Sequence, residues 1–244
     1  MTNENTQRTI VVGGSSGIGR ATAELLARLG HEVLAVGRDR EKLAGLEHDS
    51  AAAGAPVKVR AADAGEASVM RDAFASFGAF DHLVLTLSSA RGMGPFASLD
   101  LADLRGGFEG KYWPNAIALQ AALSTLHPQG SITIVTGASS GAAFPGTSGL
   151  AAINGALEAM VPVLAVELAP RRVNAVSPGV IDTAWWNAIP QASRDEFFAQ
   201  FASKAPAGRV GSANDVADAV KSLIGNTFMT GNVLKVDGGA RFTA

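Results

Sequence analysis

A glycine-rich turn near the start of the chain has the residue types and the spacing to bind a phosphate group. Residues 9–19 form an apolar run that passes through glycines into a helical pattern. Glycine lets the backbone turn tightly and approach a phosphate closely, and the N–H groups that open a helix face negative charge. The turn therefore predicts a bound nucleotide cofactor. The residues that would hold its phosphates are Gly13, Ser15, Ser16, Gly17, Ile18 and Gly19.

Apolar runs and helical patterns alternate along the rest of the chain. This alternation predicts an α/β fold, a doubly wound parallel sheet with helices on both faces, in which ligands bind beyond the carboxyl ends of the strands. The predicted strands are residues 9–12, 32–36, 57–61, 82–87, 131–136, 172–176 and 233–236. The predicted helices are residues 21–29, 41–46, 67–77, 104–126, 150–168 and 214–223.

Length and composition narrow the class of protein. The 244 residues suffice for a single domain, which we expect to span residues 1–244. A net charge of −2 argues against nucleic-acid binding. The absence of cysteine excludes thiolate chemistry, and the four scattered histidines indicate no metal site. The polar N-terminus is not typical of a signal peptide, and no uninterrupted apolar run reaches the ~20 residues of a membrane span. We therefore expect a cytoplasmic protein that binds no membrane.

Residues 181–207 interrupt the alternation of strands and helices. The segment is too long for a simple turn, and long insertions often close over a ligand. We therefore expect a substrate lid around residues 181–207, whose aromatic side chains either line an apolar pocket or pack in the core. These aromatic residues are Trp185, Trp186, Phe197, Phe198 and Phe201.

Five segments, in order along the chain, resemble the short-chain dehydrogenase/reductase family. The glycine turn matches the family's usual opening, with Val12 in place of a threonine, and Asp63 matches the aspartate that meets the adenine ring. Residues 174–183 match the loop that holds the nicotinamide amide, and residues 206–211 and 230–239 match the closing segments. In the nicotinamide loop the resemblance implies cofactor contacts by Pro178, Gly179, Ile181 and Thr183.

The resemblance implies a Rossmann fold, a small-molecule substrate, and assembly as a homotetramer or homodimer. It also indicates which dinucleotide binds. Gly37 stands where NAD-dependent relatives carry an aspartate for the ribose hydroxyls, and Arg38 stands where NADP-dependent relatives bind the 2′-phosphate. Because the guanidinium fork matches phosphate, the sequence favours NADP(H) over NAD(H). Two alternatives stay open: Arg38 as a solvated surface cation, and Asp39 as a ribose partner.

The family's four catalytic positions are all changed in this chain. Family members use a tyrosine as proton donor, a lysine four residues later, a serine and an asparagine. Leu150 stands at the tyrosine position and cannot move a proton, and Asn154 stands at the lysine position. Gly137 stands at the serine position, with the hydroxyls of Thr136 and Ser139 close by, and Lys111 stands at the asparagine position.

Asparagine and lysine have thus exchanged places between Lys111 and Asn154. If the two helices adjoin as in the family, an ammonium and an amide still lie beside the nicotinamide ribose. Lys111 would hold the ribose, or act as an acid if desolvation lowers its pKa. The alternative is that Lys111 reaches solvent or pairs with Glu109 or another carboxylate. Thr136 and Ser139 are the candidates for hydrogen bonds to the substrate.

The sequence favours an NADP(H)-dependent oxidoreductase that acts on a carbonyl, an alcohol or an activated alkene of a small apolar substrate. Its proton donor must be non-standard, because the tyrosine is missing. The alternative is a catalytically silent NADP(H)-binding protein with a sensor or structural role. A third possibility is non-redox lyase or isomerase chemistry in the same pocket.

Overall fold

Seven parallel strands form the central sheet in a computed structural model that describes residues 6–243. Their order across the sheet is β3-β2-β1-β4-β5-β6-β9, and a short separate pair joins β7 to β8. The order reverses between β1 and β4, which opens a crevice above their carboxyl ends. The strands are β1 Arg8–Val12, β2 Glu32–Gly37, β3 Val57–Ala61, β4 Phe80–Leu85, β5 Leu126–Val135, β6 Arg172–Pro178, β7 Ile181–Asp182, β8 Gly211–Ser212 and β9 Val233–Val236.

Helices cover both faces of this sheet, so the predicted doubly wound α/β fold is confirmed. Helices α1 and α8 pack together on one face, and α3 and α5 pack together on the other. Covered on both sides, the central strands are buried along most of their length, as in the run Ile10, Val11 and Val12. The helices are α1 Gly17–Arg28, α2 Arg40–Ala52, α3 Ala67–Phe77, α4 Leu101–Gly107, α5 Trp113–Ala122, α6 Ser148–Glu167, α7 Gln191–Lys204 and α8 Ala213–Gly225.

The helix predicted over residues 104–126 is wrong as one continuous helix. A π-helical turn at Phe108–Tyr112 separates α4 from α5. Pro114 has no N–H to continue the α-helical ladder, and the side chain of Asn115 donates to the carbonyl of Lys111 at 2.7 Å. Such single π turns are frequent at functional sites. This one carries Lys111 itself.

Other boundaries differ by a few residues. The strand predicted at 82–87 is Phe80–Leu85, because the N–H and the hydroxyl of Thr86 both donate to the carbonyl of Val12 and end the strand there. The strand predicted at 131–136 begins earlier, at Leu126, across an irregularity in its pairing with β4. These corrections leave the site at the carboxyl ends of the strands unchanged.

The segment around residues 181–207 contains β7, a 3₁₀ turn at Ala184–Ala188 and α7. Trp186 holds these parts together. Its indole N–H donates to the carbonyl of Ile181 at 2.9 Å, and its ring lies 5.1 Å from the ring of Phe197 and 5.6 Å from that of Phe198. The aromatic residues at the centre of the segment therefore pack on one another.

Helix α6 is the one helix, within the part of the chain that the structure describes, that is long and apolar enough to cross a membrane. A core helix of a soluble protein meets the same description. Its inner face, which includes Ile153, Leu157 and Val161, is buried in the core. Its outer face exposes Val163 and Val166.

Below pH 6.5 we expect the protein to lose stability because of His82. This ring is buried at the amino ends of the strands, with Nδ1 2.8 Å from the Ser131 hydroxyl. Burial lowers the His82 pKa from 6.5 to about 4, with His31 contributing in the same direction. As the pH falls, His82 takes up its proton in the unfolded chain before it does so in the folded protein. The free energy of unfolding therefore keeps its full value above pH 6.5 and falls by about 3 kcal/mol as the pH drops to 4.

Urea unfolding at pH 7 and pH 4.5 measures this loss in the wild type and in His82→Gln. The variant should lose about 2 kcal/mol less stability between the two pH values, whereas the exposed control His127→Gln should behave as the wild type. Equal pH dependence in all three proteins would contradict the assignment.

Candidate active site

The glycine turn is held against β2 by its own backbone. The N–H groups of Gly13 and Gly14 both donate to the carbonyl of Val36, at 2.8 and 3.1 Å. Gly13 has a φ of 86°, a left-handed conformation that favours glycine. A Cβ atom on Gly19 would lie 2.2 Å from the carbonyl oxygen of Gly13. Glycine is therefore required here for the turn to close, whatever it binds.

The amino end of α1, which follows this turn, is open to an anion. Ser16 occupies the N-cap position, yet its side chain makes no capping hydrogen bond, and the first turn contains no acidic residue. The first N–H groups of a helix have no partner within the helix. The N–H groups of Gly17, Ile18 and Gly19 thus lie where a phosphate would accept hydrogen bonds.

The end of β2 fits a 2′-phosphate. A Cβ atom built on Gly37 would lie 3.1 Å from the Ser15 hydroxyl, so that hydroxyl borders the position where a selecting carboxylate would stand. Arg38 is exposed and forms no ion pair within residues 6–243. Asp39, in contrast, caps α2 and accepts from the N–H groups of Glu41 and Lys42, both at 3.1 Å. An exposed cation directly after Gly37, with no carboxylate at Gly37, matches NADP(H) better than NAD(H).

The predicted nicotinamide loop returns over the glycine turn. The Gly179 N–H donates to the carbonyl of Val236 at 3.0 Å, which continues the pairing of β6 with β9. Thr183 lies against Gly17, with its Cβ 3.5 Å from a Cβ built on that glycine. Pro178 ends β6, whereas the side chain of Ile181 is buried in the core and contacts Gly211. The loop and the turn therefore border one crevice.

Asp63 lies beyond the end of β3 and is exposed. Its Oδ1 accepts from the Gly65 N–H at 2.9 Å, which fixes the carboxylate just past the strand. The structure thus gathers the predicted cofactor residues at the carboxyl edge of β1, β2, β3 and β6.

Lys111 is buried rather than solvent-exposed. It is 7% exposed, and its Nζ donates to the carbonyl of Thr136 at 2.9 Å. The interpretation that Lys111 reaches solvent or pairs with Glu109 is wrong, because the π turn directs it inward while Glu109 stays exposed. Burial lowers the pKa of Lys111 from 10.5 to about 8, against the opposing attraction of Glu158.

Asn154 and Ser139 form a hydrogen-bonded pair beside Gly137. Asn154 Nδ2 donates to Ser139 Oγ at 2.9 Å, and the buried Oδ1 has no partner among residues 6–243. A Cβ atom on Gly137 would lie 2.9 Å from this Nδ2, so a serine there would force the end of the Asn154 side chain to move. The Ser139 hydroxyl is thus held two residues from the position that corresponds to the family's serine.

Thr136 uses its hydroxyl inside the protein. Its Oγ1 donates to Glu158 Oε1 at 2.7 Å, while its carbonyl accepts from Lys111. Thr136 is 4% exposed. Its geometry therefore suits a residue that connects its neighbours better than one that contacts a substrate.

The sequence analysis missed a polar cluster behind these residues. Glu158 accepts from Ser140 Oγ at 2.6 Å and from Lys235 Nζ at 2.9 Å, and Lys235 also lies 3.2 Å from Ser177 Oγ. Burial would raise the pKa of Glu158, but the hydrogen bonds that it receives outweigh burial and lower it. The spacing of Glu158 four residues after Asn154 could have indicated a shared helix face. Nothing local to Lys235 could have done so.

An apolar cavity of about 180 Å³ lies between the end of α7 and the loop that follows Ser139. Its one charged lining residue is Lys204. The other residues that line it are Ala143, Phe144, Pro145, Phe201, Ala205, Ala240 and Thr243.

Comparisons with known proteins agree with this fold. The family described as enoyl-(acyl carrier protein) reductase matches residues 12–241. Cis-4-hydroxycyclohexanecarboxylate dehydrogenase of Sinomonas cyclohexanicum is 31% identical over 94% of both chains. The 3-oxoacyl-[acyl-carrier-protein] reductase of Rattus norvegicus is 29% identical over 96% of this chain and 98% of its own. A crystal structure of a small-chain dehydrogenase in complex with NADPH superposes with a TM-score of 0.84, at 32% identity over 98% of this chain and 100% of that one.

Proposed function

Because this chain belongs to the short-chain dehydrogenase/reductase family, we propose that it is an NADP(H)-dependent oxidoreductase acting on a small apolar substrate. The observation that carries the cofactor is the end of β2, where glycine stands in place of a selecting carboxylate, the Ser15 hydroxyl borders Gly37, and the exposed Arg38 follows without an ion pair within residues 6–243. The similar dehydrogenase that was crystallised with NADPH supports the same choice. The apolar cavity between the end of α7 and residues 143–145 supports an apolar substrate. Its proposed reacting group is a carbonyl, an alcohol or an activated alkene.

In this proposal the chain's own residues position the substrate and manage protons. NADPH, when bound, supplies the hydride. Ser139 donates its hydroxyl proton in a hydrogen bond to the substrate oxygen, since its Oγ is held by Asn154. The free Oδ1 of Asn154 accepts from a hydroxyl group of the bound ligands. Burial lowers the pKa of Lys111 below that of an ordinary lysine, and in this proposal Lys111 is the source of the proton that the reduced substrate takes up.

A catalytically silent NADP(H)-binding protein is the second candidate. The observation that favours it is the contact of Lys111 with the backbone of Thr136, which ties the ammonium to the interior. Leu150 at the tyrosine position also favours a catalytically silent protein, because leucine cannot donate a proton. Turnover of NADPH with a panel of apolar ketones and enones would exclude this candidate, and binding without turnover would favour it.

We further propose that the protein works in the cytoplasm as a homodimer or homotetramer that joins copies through α6. The outer face of this helix exposes Val163 and Val166. Gly155 on the same helix has open space where a side chain would be, which allows a second helix to approach closely.

Calorimetric titration with NADPH and NADH tests the proposed cofactor. We expect NADPH to bind more tightly than NADH, and Arg38→Ala to weaken NADPH binding about 10- to 100-fold, because a charge-assisted hydrogen bond to phosphate is lost. NADH binding should stay unchanged in this variant. The matched control is Arg40→Ala, which removes an exposed neighbouring cation. A preference for NADH, or no binding of either nucleotide, would overturn the proposal.

A further inference from the structure

A largely buried ion pair lies behind the candidate site, and the proposed chemistry does not use it. Glu158 of α6 and Lys235 of β9 meet at 2.9 Å, with side chains 14% and 24% exposed. Around them the hydroxyls of Ser140 and Ser177 complete the hydrogen bonding. Burying two charges is expensive in free energy, so such a pair calls for an explanation beyond stability.

Thr136 connects this ion pair to Lys111. The Thr136 carbonyl accepts from Lys111 Nζ at 2.9 Å, and its hydroxyl donates to Glu158 Oε1 at 2.7 Å. One buried residue thus separates an ammonium from a carboxylate. Interactions between charges are strong across so short a path in the protein interior.

Glu158 also fixes the turn that carries Ser139. Its Oε1 accepts from Ser140, which lies in the 3₁₀ turn Ala138–Ser140. The same turn presents Ser139 to Asn154. The carboxylate therefore contacts Ser140, the neighbour of Ser139, and Thr136, the residue that binds Lys111.

Apart from Glu158, the groups named here that face Lys111 from the surrounding elements are uncharged, so Glu158 is its counter-charge. Helix α5 contributes the amide of Asn115 and β5 leads to the uncharged Thr136. The opposing effect of Glu158 is the only charge effect on the Lys111 pKa within residues 6–243. Lys235 lies on the far side of the carboxylate and competes for it.

We propose that Glu158 is a positioning residue of this site, acting as the counter-charge of Lys111. In this proposal the positive charge of Lys235 weakens the attraction between Glu158 and Lys111. The inference rests on the proposed function for the role of Lys111. The coupling itself can be measured without cofactor or substrate, so its failure is distinguishable from a failure to bind NADPH.

Titration of the lysine side chains by NMR, in protein carrying ¹³C at the lysine Cε, tests the coupling. The Lys111 signal is assigned by its absence in Lys111→Met. We expect Lys111 to titrate about one pH unit lower in Glu158→Gln, because an opposite charge is lost, and higher in Lys235→Met, because a competitor is lost. If Glu158 and Lys235 only supported the fold, these two substitutions would not be expected to shift the pKa of Lys111 in opposite directions.

Two further variants keep the test decisive. Glu109→Gln removes an exposed carboxylate two residues from Lys111 in sequence and should leave its titration unchanged. The double variant Glu158→Gln with Lys235→Met removes both charges of the pair, and Lys111 should titrate between the wild type and Glu158→Gln. The double variant also serves if Glu158→Gln alone fails to fold. An unchanged Lys111 titration in Glu158→Gln, or shifts of the same sign in both single variants, would overturn the proposal.

Discussion

Replacement of Lys111 by methionine should stabilise the protein by about 2 kcal/mol at pH 7 while removing any oxidoreductase activity. Burial lowers the pKa of this ammonium from 10.5 to about 8, which corresponds to a cost of about 3 kcal/mol for keeping it charged inside the protein. Methionine fills a similar volume without the charge. The Thr136 carbonyl loses its partner in exchange, at a cost of about 1 kcal/mol.

The size of the stabilising effect of Lys111→Met depends on pH. Because the folded pKa lies below the unfolded value, the unfolded chain binds the extra proton between pH 8 and 10.5, and the stability of the wild type rises with pH across that window. The advantage of Lys111→Met should therefore shrink and vanish towards pH 10. Urea unfolding at pH 7 and pH 10 measures both values. The exposed Lys221→Met is the control, with no change expected. A less stable Lys111→Met at pH 7 would mean that the hydrogen bond outweighs burial.

Substitution of Gly19 by alanine should cost about 3 kcal/mol or more and abolish NADPH binding. The added Cβ would lie 2.2 Å from the Gly13 carbonyl oxygen and 2.5 Å from Thr86 Oγ1. The nearer atom is backbone that is fixed by the hydrogen bond from the Gly13 N–H to Val36, so the turn itself must move.

The same change in α2 provides the control. Gly45 has nothing within 4 Å of a built Cβ and lies inside a helix. Gly45→Ala should therefore stabilise the protein by up to about 1 kcal/mol. Thermal unfolding of the two variants, followed by NADPH titration, tests the contrast. A Gly19→Ala protein that folds and binds NADPH as the wild type does would contradict the proposed cradle.

The cofactor half could be predicted from sequence because each part of it is a local pattern. An apolar run followed by glycines predicts a strand, a turn and a helix without knowledge of the rest of the chain, and Gly37 with Arg38 directly follows a strand. The parallel sheet then brings the ends of these strands to one edge. Local pattern and global fold agree here.

The catalytic half was predictable only in part. The exchange of residue types at Lys111 and Asn154 is visible in the sequence, and both side chains do meet the 136–139 segment. The partner of Lys111, however, is a backbone carbonyl. Because every residue has one, the sequence does not indicate which residue binds Lys111. The π turn that aims Lys111 inward depends on how the Asn115 side chain folds back.

The Glu158 cluster lay beyond sequence analysis for a different reason. Its members come from α6, β9, β6 and the segment after β5, and only the packed sheet brings them together. Hydrogen bonds that join residues 58 to 95 positions apart leave no periodicity to detect.

The contact between Gly137 and Asn154 couples these two positions. A serine at position 137 would place its Cβ 2.9 Å from the Asn154 amide, so the end of the Asn154 side chain would have to shift. Replacing Asn154 would release Ser139 from its hydrogen-bond partner. We therefore expect epistasis: the effect of a substitution at either position depends on which residue occupies the other.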